Sequence, residues 1–266
     1  MIKILFPIAA ILLLASCQKV IDIDLNSATP RIVIEAALQE STLGFTVHIT
    51  QTGNYFGTDQ PKTVNNATVT LKKGTDNPIT LANEGNGIYT AASYVAEKGK
   101  SYLLTVMVDG ITYEATSYLP VPVPLDELVV QVSDQPSFGS PEADSFQVFC
   151  HFQEPLAEAN FYRIKTIVND IPSNKGENLL VLEDRLTNGN YIRIPVFTET
   201  YKLNDKVEVE LVSMDAKMYD YFNSLSGLVS NGNSSAAPTN PNTNWSGGAL
   251  GYFGAFSSSK KTVIVQ

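Results

Sequence analysis

The fold is decided by Tyr102-Leu103-Leu104-Thr105-Val106-Met107-Val108-Asp109-Gly110-Ile111-Thr112-Tyr113-Glu114-Ala115-Thr116-Ser117-Tyr118. Apolar and polar residues alternate on both sides of Asp109-Gly110, the period of a strand with one face buried and one wet. Asp-Gly is the strongest two-residue hairpin signal, because the tight turn that matches strand twist needs positive φ at both central positions. A hairpin with one apolar face requires a second layer to cover it, so the sequence around it must supply more strands.

It does so upstream. From Pro30 to Pro120 the period of two recurs in Arg31 to Glu35, Phe45 to Thr50, Ala67 to Leu71 and Gly87 to Thr90. Turn clusters such as Gly74 to Pro78 and Asn83 to Gly87 separate the runs, and no helical period of useful length interrupts them. The expectation is an all-β (mainly β) protein that opens with an immunoglobulin-like β-sandwich over 30–120. Gly99-Lys100-Ser101 before the long strand puts Tyr102 where such sandwiches carry a corner tyrosine, its hydroxyl bonded back to nearby backbone.

Downstream, Pro120-Val121-Pro122-Val123-Pro124 resists both helix and central strand, and marks a boundary. A second antiparallel β domain is expected over 121–266, with strands at Leu128 to Val132, Ser145 to Phe152, Phe161 to Val168, Tyr191 to Val196, Lys206 to Val212 and Thr262 to Val265. One stretch changes period. Met214, Met218, Tyr221, Phe222 and Leu225 stand three or four apart, which predicts one short amphipathic helix near 214–228 that packs on the sheet. A Ser/Asn/Pro/Gly-rich loop over 230–248 follows.

The N-terminus predicts export. Lys3 precedes the apolar stretch Ile4 to Leu14, too short to span a bilayer, and Leu14-Ala15-Ser16-Cys17 looks like the bacterial lipobox. Residues 1–16 are therefore expected to be a signal peptide, Cys17 the lipidated residue, and 17–29 a lipidated tether. Each buried acyl methylene contributes about 0.8 kcal/mol, so two or three chains hold such a protein at a membrane almost permanently. The expected location is a membrane surface, held there by the lipid anchor.

Charge and cysteines narrow the classes further. Formal net charge is −9, and one unit more negative once Lys3 leaves. No basic run is present to pair with phosphates, which argues against nucleic acid as a partner. Lipidation of Cys17 leaves Cys150 alone, so no disulfide framework is expected. Cys150 lies in the apolar run Phe146 to Phe152 and reads as a buried, inert thiol.

Catalytic candidates are few. The two histidines, His48 and His151, both fall in strands, and His151 is opposite in phase to Cys150, which argues against a Cys-His pair. No zinc-protease helix motif, nucleophile elbow, phosphate loop or paired-cysteine motif occurs. Asp134, Asp144, Glu154 and Asp170 are acids that a fold could bring together, but spacing selects none of them. Asp22, Asp24 and the loop at Asp215 lack the spacing of a calcium loop. The expectation is no enzyme, no cofactor and no metal. Candidate contact residues are Tyr55 and Phe56, in a Gly/Asn-bounded loop, and Trp245, beside Asn240, Asn242 and Asn244. Such rings suit a glycan, a peptide or a protein surface, and equally suit loop anchors folded back on the core.

Across nearly the whole chain the sequence resembles the Bacteroidetes lipoprotein family known as domain of unknown function 4249. The resemblance rests on Cys17 followed by Lys19 to Leu25, on Val33-Ile34-Glu35-Ala36, Asn54-Tyr55-Phe56, Ala67 to Thr70, Gly87-Ile88-Tyr89, and the closing Gly248 to Phe253. Proteins of this kind are commonly encoded beside TonB-dependent receptors. The resemblance therefore implies a lipid-anchored outer-membrane location, with the periplasmic face and the cell surface both open, and an accessory or docking role for such a receptor in nutrient uptake, with a surface glycan- or peptide-binding module as the alternative.

Overall fold

The computed structural model describes residues 29–53, 60–133, 146–173, 179–196, 201–230 and 239–266. Cys17, the signal and tether residues up to 28, and the loop residues Tyr55 and Phe56 lie outside the described residues. The chain is mainly β, with strands paired chiefly antiparallel and one helix among the described residues.

The alternating runs of the first half build two facing layers. One layer holds β1 (Ile32–Gln39), β2 (Leu43–Gln51), β7 (Ile88–Val95) and β6 (Ala82–Gly85), with the short β3 (Lys62–Thr63) on β2. The other runs β5 (Ile79–Thr80), β4 (Thr68–Lys73), β8 (Lys100–Val108), β9 (Ile111–Leu119). Every second residue of each long strand turns inward, so Ile34, Val47, Ile49, Leu71, Leu104 and Val106 meet in one core. Asp109 and Gly110 both take positive φ, 50° and 81°, as the two-residue turn between β8 and β9 requires. The Tyr102 hydroxyl donates to the Glu97 carbonyl at 3.0 Å and accepts from the Glu97 N–H at 2.7 Å, which closes the corner ahead of β8.

The second half makes another pair of layers. A three-stranded sheet of β10 (Glu127–Val132), β11 (Phe146–Gln153) and β15 (Tyr191–Pro195) faces β12 (Phe161–Val168) and β16 (Lys206–Met214), and β13 (Ile171–Pro172) and β14 (Leu180–Glu183) both add to β12. Helix α1 (Ala216–Ser230) covers the far side of this larger sheet, seating Met218 and Phe222 on Val212 and Phe256. It lies two residues later than the 214–228 expected from sequence.

The last strand joins the halves. Leu250 to Phe256 of β17 (Leu250–Ile264) run parallel to Val33 to Gln39, and Ser257 to Ile264 run antiparallel to β16, so one ten-stranded sheet crosses the molecule. Pro120 lies between the two cores along the chain, yet the first core also takes Trp245, Ala249, Phe253 and Ala255 from the far end of the sequence. Two glycines make the close packing possible. At Gly251, with φ of 86°, a Cβ would strike the Ile34 carbonyl, and at Gly254 it would strike the Met218 sulfur. Asp215 braces the same seam. One carboxylate oxygen accepts from Met218 N–H at 2.8 Å as the cap of α1, and the other accepts from the Ser117 hydroxyl and Tyr118 N–H of β9, both at 2.7 Å.

Candidate functional site

Where β14 ends at Glu183 the chain leaves the large sheet, turns through 184–190 and enters β15 of the small sheet. The crossing bridges one open side of the second sandwich, and a cleft of about 460 Å³ lies beside it. Phe152, Tyr162, Leu182, Ile192 and Ile194 give the cleft apolar walls, Tyr191 and Arg193 stand at its mouth, and Glu154, Asp184, Thr187 and Asn190 close one end.

The polar end is a built arrangement. Glu154 and Asp184 are 2% and 5% exposed, and no cation pairs with either among the described residues. Asn160 holds both: its side-chain amide donates to Glu154 Oε1 at 2.9 Å, and its backbone N–H donates to Asp184 Oδ2 at 2.9 Å. Backbone bonds from Asp184 N–H to Asn160 O, at 3.2 Å, and from Glu154 N–H to Asn190 O, at 3.0 Å, lock the two loops together. Burial pushes the Glu154 carboxyl above the ordinary carboxylate range, and the neighbouring Asp184 charge adds to that, against the lowering effect of the nearby Tyr162 hydroxyl and the Asn160 amide. The Tyr162 hydroxyl, on a side chain 2% exposed, is turned toward Glu154 without a well-aligned hydrogen bond, and burial raises its pKa strongly.

The loops that flank the cleft carry exposed apolar side chains. Leu156 and Leu186 are 75% and 89% exposed on the two loops that Asn160 ties together. The loops touch where Gly189, at φ of 77°, lies against the Leu156 side chain, so the leucines stand on a braced base. Tyr191, 54% exposed, continues this surface.

Of the two readings open for Trp245, contact ring or loop anchor, the structure shows the anchor. It is 5% exposed, and its Nε1–H donates to the Ile34 carbonyl at 3.1 Å, because the loop folds back over the first core. Its amide neighbours serve the same anchoring. Asn244 exchanges hydrogen bonds with the backbone of Phe253, and Asn242 Nδ2 donates to both oxygens of Asp220 at 3.0 Å. The surface beside the ring is a polar groove of about 500 Å³ that includes Glu114, Thr116, Lys217 and Asp220.

Of the four acids singled out by type, Glu154 enters the cleft, Asp170 pairs with Lys206 at 2.7 Å, and Asp134 and Asp144 lie outside the described residues. Sequence reasoning did not single out Asp184, Asn160 or Tyr191, which sit in turns or at a strand edge where no periodicity marks them. Cys150 is buried in the second core, where burial pushes its thiol up to about 12, and His151 faces away from it toward Tyr191 and Glu127. His48 is exposed on β2. Among the described residues no group of three or more His, Cys, Asp or Glu is placed to hold a metal ion, and no helix is long and apolar enough to cross a membrane.

Fold and site define a mainly β protein with a cleft in its second half that combines apolar walls and buried carboxylates. The chain belongs to the family described as Domain of unknown function (DUF4249), whose profile matches residues 18–262. No curated protein matches it.

Proposed function

We propose that the protein is an outer-membrane lipoprotein, anchored through Cys17, that serves as a non-catalytic docking partner of a TonB-dependent receptor in nutrient uptake. The first sandwich is read as an immunoglobulin-like spacer, from the strand order β1-β2-β7-β6 against β5-β4-β8-β9 and the corner at Tyr102. The second carries the contact surface. The observation that supports docking is the pair Leu156 and Leu186, 75% and 89% exposed on mutually braced loops. Large apolar side chains held out on a rigid base lose little conformational freedom when a partner covers them, and so contribute most of their burial energy to binding.

Affinity isolation of the tagged lipoprotein from detergent-solubilised outer membranes tests this directly. Wild type is expected to recover a TonB-dependent receptor in stoichiometric amount, while Leu156→Asp/Leu186→Asp loses it without losing anchoring, and Cys17→Ala loses anchoring. Recovery of the anchored wild-type protein alone overturns the docking reading.

A further inference from the structure

The cleft has two features that exposed leucines alone do not need: buried carboxylates with no cation among the described residues, and a strand edge that no described strand pairs. The edge follows from the hydrogen-bond phase of β15. Val196 N–H bonds to Val148 O and Glu154 N–H bonds to Asn190 O, so residues 190, 192, 194 and 196 spend their backbone groups on β11. Tyr191 and Arg193 therefore turn their N–H and C=O groups outward, and no described strand pairs with β15 on that side. An unpaired edge of this kind accepts an extended peptide as one more strand.

Charge decides which peptide. Glu154 and Asp184 are held within the same end of the cleft by Asn160, and both lack an ionic partner among the described residues. The Tyr162 hydroxyl, buried and without a well-aligned bond, lines the same cleft. Buried carboxylates without a counter-charge are costly, and an ammonium brought in by a ligand would relieve that cost while donating to their oxygens. The Arg193 guanidinium does not fill this role, since it stacks 3.8 Å from the Phe149 ring centre and donates to Gln131.

We propose that the cleft is a recognition site for an extended peptide segment of a protein partner, which pairs with the free edge of β15 and places a lysine side chain between the apolar walls with its ammonium at Glu154 and Asp184. This deepens the docking reading and rests on it for the identity of the partner. The chemistry of the site is testable without the partner.

The test is calorimetric titration of the full lipidated chain in detergent with an acetylated, amidated heptapeptide of alternating threonine and valine that carries one central lysine. A matched peptide with norleucine in that position is the control. The lysine peptide is expected to bind about tenfold more tightly, the effect of about 1.4 kcal/mol. Glu154→Gln and Asp184→Asn should each bring it to the norleucine level, and two variants guard against one that misfolds. Arg193→Pro removes an outward N–H that the β11 ladder does not use, and should abolish binding of both peptides. Equal affinity for the two peptides, unchanged affinity in both carboxylate variants, or no saturable binding overturns the site. Absence of a lysine preference in the wild-type chain overturns it whatever the membrane isolation recovers, and failure to recover a receptor overturns the docking reading while leaving a measured lysine preference intact.

Discussion

Tyr102 and Tyr201 each donate a hydroxyl to the carbonyl five residues earlier, one in each sandwich, yet the two cores around them treat buried polarity differently. In the first, Tyr89 donates to Val64 O and accepts from Ala67 N–H, and Trp245 donates to Ile34 O, so polar atoms that enter the core find partners. In the second, Glu154 and Asp184 are buried with no counter-charge among the described residues, and Tyr162 and Thr166 each keep a buried polar atom without a hydrogen bond. A core that serves only stability is best with no such atoms, because each unsatisfied group costs about 1–3 kcal/mol. The difference accords with the proposed division, support in the first sandwich and contact in the second.

The comparison breaks most directly at the seam that holds the two together. Gly251→Val is expected to be the most damaging substitution, at about 4 kcal/mol or more, since a branched side chain at positive φ meets the Ile34 backbone and separates β17 from β1. Denaturant unfolding should then show two transitions in place of one. Asp215→Ala removes the α1 cap and the link to β9, at a combined cost of about 2–3 kcal/mol by the same measurement.

Matched tyrosine truncations sharpen the contrast. Tyr102→Phe should destabilise by about 1 kcal/mol, because it strips two well-formed hydrogen bonds from the corner. Tyr162→Phe should be neutral or slightly stabilising, because the hydroxyl it removes is poorly partnered where it stands. Equal losses at both positions would refute the division of labour.

The smallest effect is a pH dependence. The folded state holds the Glu154 proton more tightly than the unfolded chain does, so its contribution to stability is fully present below the ordinary carboxylate pKa and is lost as pH rises through the raised value. Glu154→Gln lacks that loss. The midpoint temperature of the wild type should therefore fall relative to this variant between pH 4 and pH 8, and a constant difference would refute a buried, raised carboxyl.

Much of the architecture is legible because it is local. The period of two in β8 and β9, Asp109-Gly110 between them, and the helical spacing after Met214 all depend on neighbours within one turn or hairpin. Tyr102 was legible for the same reason, its partner being five residues away. Glu154 was visible as an acid but not as half of a pair, since Asp184 lies beyond three intervening strands and meets it only through Asn160.

By itself the sequence determined that the chain is mainly β and that one short helix interrupts the strands. Tertiary structure alone decided that β17 pairs with β1, that Trp245 lies inward on Ile34 across 211 residues, and that two acids share one cleft. The physical reason is the range of the forces. Alternation and turn chemistry act on adjacent residues and leave a periodic trace, whereas the partner of a strand edge, a loop ring or a buried carboxylate is chosen by the packing of the whole chain, which leaves none.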